Sequence, residues 1–399
     1  MLLIQNRIPV GSMHALVLLG CLLCVESSCD ASSYGDSSYG DSTTKECGIY
    51  DDSTTKECGC SAGTNRQSGT AAYDPEGTLP TIFEALQRAI QTGDLNRDLV
   101  VPTPLVLIPG GLFTMGTDDP QIVEDGESPA RKVKISPFKL QKYEVSNRQF
   151  SEFILETGYK TEAENFGWSF CFEATLSSQV LSRISTKVVA TPWWLPVQDA
   201  SWFRPNGPDK DILSEKLLDH PVTHVSHNDA KKYCEWLNLR LPREAEFERA
   251  SRGGLESKGF PWGDELNPEG RFRANLWQGM FPNENLGSDG YSYASPVTAF
   301  GEQNQYGLYN IIGNAWEWVA DAWTVRHRLT GPDGEVLENP LVEIRGRIDD
   351  PTVERVKKGG SYMCHISYCY RYRVESRSSN SADSSSQNLG MRCADDYDE

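Results

Sequence analysis

The sequence predicts an α+β fold: a single irregular domain with little regular secondary structure. Three observations point there. The 399 residues include 34 Gly, 22 Pro and 10 Trp; long periodic segments are few; and helix-start signals stand isolated among turn-rich stretches. With 38% apolar and 10% aromatic residues the composition is globular. The balance of 38 Lys+Arg against 56 Asp+Glu, a formal charge of −18, disfavours nucleic acid as a partner.

Taken in chain order, the first element is an apolar run from Ala15 to Val25. It follows Arg7 and His14 and precedes the small residues Ser27 and Ser28. A spanning helix needs about 20 apolar residues, so the run reads as the core of a secretory signal over residues 1–27 and not as a membrane anchor. No membrane association is expected elsewhere. Removal of that segment takes Cys21 and Cys24 from a total of eleven cysteines and leaves nine. An odd number in an oxidising compartment implies mixed disulfides, a buried thiol, or cysteines used for chemistry.

Residues 28–100 read as a flexible, cysteine-containing extension. Ser-Ser-Tyr-Gly-Asp recurs at 32 and 37, and Asp-Ser-Thr-Thr-Lys-Glu-Cys-Gly at 41 and 52. Such a composition buries too little apolar surface to offset chain entropy. Within it, Cys58 and Cys60 are placed to form mixed disulfides with a thiol protein of the endoplasmic reticulum, or ordinary tail disulfides. Near the end of the extension, Phe83 to Ile90 carries apolar residues at helical spacing and Gly93 supplies a stop, which predicts a short helix.

From residue 101 to 399 one continuous domain is expected. Ser146 with Gln149, and Ser226 with Asp229, are helix-start pairs. The second helix places Ala230, Cys234 and Leu237 on one face, so Cys234 should face the core. A third helix is expected to begin near Pro242, with the proline in its first turn, and to stop at Gly253-Gly254. His220, His224 and His227 have a spacing that suggests zinc, but Pro221 and the extended residues after it leave only His227 helical, so the three should not converge.

The densest chemistry lies between Gly359 and Arg373. Cys364 and Cys369 stand five apart, flanked by His365, Tyr368, Arg371 and Arg373. Cations nearby are expected to favour thiolates. From spacing alone the pair is a structural disulfide, a redox pair or two ligands for a soft ion such as Cu(I).

This stretch, together with Gly307-Leu-Tyr-Asn-Ile-Ile-Gly-Asn-Ala-Trp-Glu-Trp318, Pro242-Arg-Glu-Ala-Glu-Phe-Glu248, Phe260-Pro-Trp-Gly263 and Asn388-Leu-Gly-Met-Arg-Cys393, closely resembles the formylglycine-generating enzymes of the sulfatase-modifying factor family. The resemblance runs from about Val106 to Ala394. It implies the sulfatase-modifying, C-type-lectin-like fold. It also implies an oxidase that converts a cysteine in a Cys-X-Pro-X-Arg segment of nascent sulfatases to Cα-formylglycine with O2, in the lumen of the endoplasmic reticulum.

On that resemblance Cys364 and Cys369 are copper ligands. Ser361, Tyr368, His365, Arg371, Trp316 and Asn388 take active-site positions that orient the substrate and polarise oxygen, with Trp316 as an apolar wall. Two calcium sites are implied as well, one of Asn275, Leu276, Asp289 and Tyr291, the other of Asn310, Gly313, Ala315 and Glu317. Asparagine, carboxylate and main-chain oxygens are the donors Ca²⁺ prefers. Cys234 and Cys393 match a family disulfide, whereas Ser251 and Val374 replace both cysteines of another, and Cys171 is left as a buried free thiol.

Ile366 stands where arginine is usual in vertebrate relatives. The sequence has no Asn-X-Ser/Thr site and no Lys-Asp-Glu-Leu ending, so residence in the endoplasmic reticulum is expected to depend on a partner. The competing readings are a catalytically silent sulfatase-binding paralogue, an iron-dependent sulfoxide synthase, and a lectin-like sugar binder. The sulfoxide synthase needs an added domain with iron-binding histidines, and the region before Val101 has only His14.

Overall fold

The structure is a computed structural model that describes residues 81–343 and 353–397. The signal segment, the repeats and Cys58 and Cys60 lie outside the described residues.

Each helix starts where local chemistry can satisfy its first amides. In α1 (Ile82–Thr92) Thr81 and Glu84 form a reciprocal capping box, and Gly93 ends the helix in the left-handed region. Ile82, Leu86 and Ala89 are its buried residues, so Phe83, expected on the apolar face, is instead 36% exposed. The helix packs its buried face into the main core, beside α2 (Asn147–Thr157). Ser146 and Gln149 cap α2, and α3 (Glu162–Phe166) is boxed by Thr161 and Glu164. A single turn, α4 (Ser178–Leu181), follows.

Ser226 and Asp229 cap α5 (His227–Trp236), as expected. The sixth helix, α6 (Glu244–Arg252), corrects the expectation for Pro242, which lies outside it. There the Arg243 amide donates to the Glu246 carboxylate at 2.8 Å, so the reach of that side chain decides where the helix begins. Gly253 ends α6 in the left-handed region.

The strands form four small sheets among the described residues. In the first, β1 (Leu105–Ile108) and β12 (Ala394–Asp396) flank β4 (Phe138–Gln141), both antiparallel to it. The second places β3 (Arg131–Ile135) between β2 (Gly111–Met115) and the two-residue β8 (Leu337–Glu338). A hairpin-like pair joins β5 (Trp168–Phe172) to β6 (Trp194–Gln198).

The fourth sheet carries the site. Its order is β10 (Ser378–Ser381), β9 (Glu354–Lys358), β7 (Trp316–Ala322), β11 (Leu389–Gly390), with β11 parallel to β7 and an irregular register between β7 and β9. Side chains from the sheets and from α2, α5 and α6 form one large core that contains Trp316, Trp318, Cys364 and Cys369. A smaller aromatic cluster of Phe170, Phe172, Trp194, Trp277, Tyr362 and Met363 abuts the cysteine loop.

Cys234 of α5 is bonded to Cys393 next to β12, across 159 residues of sequence. Closing such a loop contributes roughly 4 to 5 kcal/mol in the chain-entropy picture. Ser251 and Val374 are both buried, and the Ser251 hydroxyl donates to the Phe247 carbonyl at 2.8 Å. Cys171 is buried and free, with its thiol directed at the Pro205 carbonyl at 3.5 Å. No described helix is long and apolar enough to cross a membrane.

Candidate active site

The cysteine loop is shaped by the end of β9. Gly359 and Gly360 follow it with φ of 90° and 74°, and a Cβ on Gly360 would come within 3.1 Å of the Arg371 carbonyl. A chain that must turn this tightly against backbone requires glycine there. The turn delivers Ser361 to Asn388, whose side-chain amide donates to the Ser361 hydroxyl at 2.9 Å. Asn388 in turn accepts the Trp316 amide on its carbonyl at 2.8 Å, which joins β7 to the loop.

Cys364 and Cys369 follow on successive turns. Their sulfur atoms are 2.8 Å apart, beyond the roughly 2.05 Å of a bond between them; Cys364 is a free thiol whereas Cys369 is disulfide-bonded, and both residues are fully buried. The Ser361 amide points at the Cys364 sulfur at 3.4 Å, and the Cys369 amide donates to the His365 carbonyl at 2.7 Å. Burial pushes the Cys364 thiol up to about 12, against the pull of the Ser361 amide, Arg371 and Lys357. This corrects the expectation that neighbouring cations favour the thiolate, because desolvation outweighs them.

The remaining positions separate into three neighbourhoods. Tyr368 stacks on Phe281 with ring centres 4.0 Å apart and meets Trp193 edge-on at 5.0 Å. His365 turns to the solvent side, where Nδ1 lies 2.8 Å from the Ser367 hydroxyl. Arg371 is held bidentately by the Asp125 carboxylate, with Nη2 to Oδ1 at 2.8 Å. Asp125 was not among the residues singled out in the sequence. It lies 246 residues away in a loop that also sends Glu127 to Arg373, and neither pairing has a local signature.

Lys357 of β9 was also missed. It is completely buried, hydrogen-bonded to Asn380, with its amine 5.0 Å from the centre of the Trp316 ring. Burial pushes that amine well below its usual range.

The two oxygen-rich sets adjoin each other through Asn314, which accepts from the Asn275 amide at 3.0 Å and donates to Glu144 at 2.9 Å. In the first set, Asp289 accepts the Leu276 and Tyr291 amides at 3.4 and 3.0 Å, so these three residues meet, whereas the Asn275 amide turns to the Tyr293 carbonyl and to Asn314. In the second, Asn310 gives its amide protons to Glu144 and the Val297 carbonyl, and its Oδ1 is buried without a hydrogen-bond partner. Glu317 is bound on both oxygens by Arg392. Burial, then the charge of Glu317, pushes Glu144 up to about 8. The orphaned Asn310 oxygen beside the buried Glu144 carboxylate suits a cation, with Glu144 added to the expected residues, whereas Glu317 is already neutralised by Arg392.

The three histidines do not converge. His224 lies between the Ser169 hydroxyl at 2.8 Å and the Pro205 carbonyl at 3.0 Å, whereas His227 faces the Trp318 ring. No cluster of three or more His, Cys, Asp or Glu suited to a metal occurs among the described residues.

A Sulfatase-modifying factor enzyme 1-like domain matches residues 93–397. A formylglycine-generating enzyme of Bos taurus is 56% identical over 296 residues, covering 74% of this chain and 75% of that one. One from Thermomonospora curvata is 48% identical and covers 73% of this chain and 93% of its own. An inactive C-alpha-formylglycine-generating enzyme 2 of Bos taurus is 42% identical, covering 73% and 87%.

Proposed function

Because the chain belongs to the sulfatase-modifying factor enzyme family, we propose that it is a formylglycine-generating oxidase that acts on a cysteine in Cys-X-Pro-X-Arg segments of nascent sulfatases. The observation that carries this reading is the buried Cys364–Cys369 pair, its sulfurs 2.8 Å apart on a loop pinned by Ser361 and Asn388. Turning a CH₂–SH group into an aldehyde with one O2 releases hydrogen sulfide and water and consumes two further electrons, which a thiol reductant supplies. The greater identity to active relatives, 56% against 42% for the inactive paralogue, favours this over a silent binding module.

Once Cys369 is released from its disulfide by reduction, Cys364 and Cys369 are the residues that would hold Cu(I), for which two thiolate sulfurs are a suitable soft donor set. Bound there, copper would supply the one-electron chemistry with O2 that a closed-shell thiol lacks. The chain's own residues prepare the place. Burial of both cysteines excludes bulk water, the Gly359-Gly360 turn and Asn388 set the loop, and Asp125 holds Arg371 at a fixed angle. Tyr368, with Phe281 and Trp193, forms an aromatic wall beside the pair that would orient a substrate chain.

The proposal extends to calcium at both oxygen-rich sets, supported by the convergence at Asp289 and the orphaned Asn310 oxygen. It includes removal of residues 1–27, residence in the endoplasmic reticulum lumen, and thiol partners for Cys58 and Cys60. The test is to incubate copper-loaded protein in aerated, thiol-containing buffer with a peptide containing Cys-Thr-Pro-Ser-Arg, following peptide mass and aldehyde. Conversion by the parent but by neither Cys364→Ser nor Cys369→Ser is the expected result. A peptide that binds and stays unconverted would leave the silent paralogue as the better reading.

A further inference from the structure

Beside the cysteine pair the surface opens into a pocket of about 300 Å³ that borders on residues with roles already assigned, Cys364, His365 and Leu276, but whose interior has no occupant among them. Cys364 forms part of its wall, with Leu266, Phe272 and Trp277 behind and His365 and Ile366 in front. No Asp, Glu, Lys or Arg lines it. Ile366 is 63% exposed, and it stands at the mouth of this largely apolar pocket and not alone on the surface. The wall is held firm, because the Trp277 amide donates to the Cys364 carbonyl at 3.1 Å and Trp277 belongs to the aromatic cluster behind the loop.

The volume is at the small end for ligand pockets, so it suits a side chain and not a length of peptide. What can reach it follows from the position of Cys364. A substrate cysteine that must meet this sulfur brings its neighbours with it, and an extended chain advances only about 3.3 to 3.6 Å per residue. The side chains within reach of a pocket walled by Cys364 are therefore those next to the target cysteine.

We infer that this pocket is a substrate subsite that takes an apolar side chain immediately adjacent to the target cysteine, and that Ile366 at its mouth sets the preference. The inference rests on the oxidase reading, since that reading is what brings a polypeptide cysteine to Cys364. An arginine at position 366 would place a cation at the same mouth and favour an acidic neighbour. This chain, with isoleucine, selects against charge.

The experiment uses two peptide series around Cys-Thr-Pro-Ser-Arg in which the residue before or after the cysteine is Leu, Ala or Asp. For each peptide, KM and kcat are measured with copper-loaded full chain. Binding of the fluorescent Cys→Ser version to metal-free protein is followed by polarisation. At one of the two positions, Leu to Asp should raise KM and weaken binding about tenfold with kcat little changed. Ile366→Arg, at an exposed position that does not burden the fold, should abolish or reverse that ratio.

Equal KM and equal binding across both series would overturn the subsite, as would a Leu-to-Asp ratio that Ile366→Arg leaves unchanged. Conversion with no preference removes the subsite and keeps the oxidase. Preference in binding without any conversion supports the subsite and removes the oxidase.

Discussion

His227 shows what burial does to a single side chain. It opens α5, faces the Trp318 ring at 5.7 Å between centres, and is held neutral down to about pH 3 by desolvation and by the charge of Arg355. An unfolded histidine titrates near 6.5, so between pH 6.5 and 3 the unfolded chain binds a proton that the folded one refuses. Stability from this group is therefore lost as pH falls through that window, on the order of 1.4 kcal/mol per unit. Asp229, two residues on, acts with the opposite slope. Burial pushes its carboxyl up to about 7, so its contribution declines as pH rises from about 4 to 7. His227→Phe keeps an aromatic ring against Trp318 and should flatten the acid side of the stability profile. Urea midpoints at pH 7, 5 and 4 check this, and an equal decline in parent and variant would remove His227 from the account. The signal for His227 in the sequence was its helix position; that it would be buried beside Arg355 had no local trace.

Among the elements, the turn after β9 has the most influence on the site. Two consecutive left-handed residues let the chain reverse against the Ile311 and Arg371 carbonyls and present Ser361 to Asn388. Gly360→Ala should cost more than about 1 kcal/mol, because alanine at φ of 74° is strained and its methyl meets backbone. It should also lower peptide conversion by displacing Ser361 and Cys364 together. Denaturation midpoint and conversion rate measured on the same preparation test the link, and unchanged stability would show that the turn has slack. Helix boundaries fixed by capping boxes at Ser146 and Ser226 were legible, since each box is contained within four residues. The start of α6 was misplaced because Glu246 reaching back to the Arg243 amide outranks a proline preference. The two-residue strands β8 and β11 had no readable pattern, because pairing across the sheet defines them and their own periodicity does not.

For the molecule as a whole, regular structure is sparse and long-range ties replace it. The Cys234–Cys393 bond, the Asp125–Arg371 pair and the two adjoining oxygen-rich sets each join segments far apart in sequence. If calcium occupies those sets, its removal should destabilise the entire fold, by about 2.7 kcal/mol for each site where calcium had stood a hundredfold above its Kd. A fall in Tm on adding EGTA is expected, and Asn310→Ala should lose part of that response. The same Tm in calcium and in EGTA would count against both sites. The fold class, the capped helices and the family were legible in the chain alone, because these depend on composition, on contacts a few residues apart, or on contiguous motifs. Packing alone revealed that Asp125 clamps Arg371, that Glu144 joins Asn310, that burial raises the Cys364 thiol, and that a largely apolar pocket opens beside it. Those properties depend on which segments exclude water from one another, and desolvation is set by the packed neighbourhood of a residue and not by its neighbours in the chain.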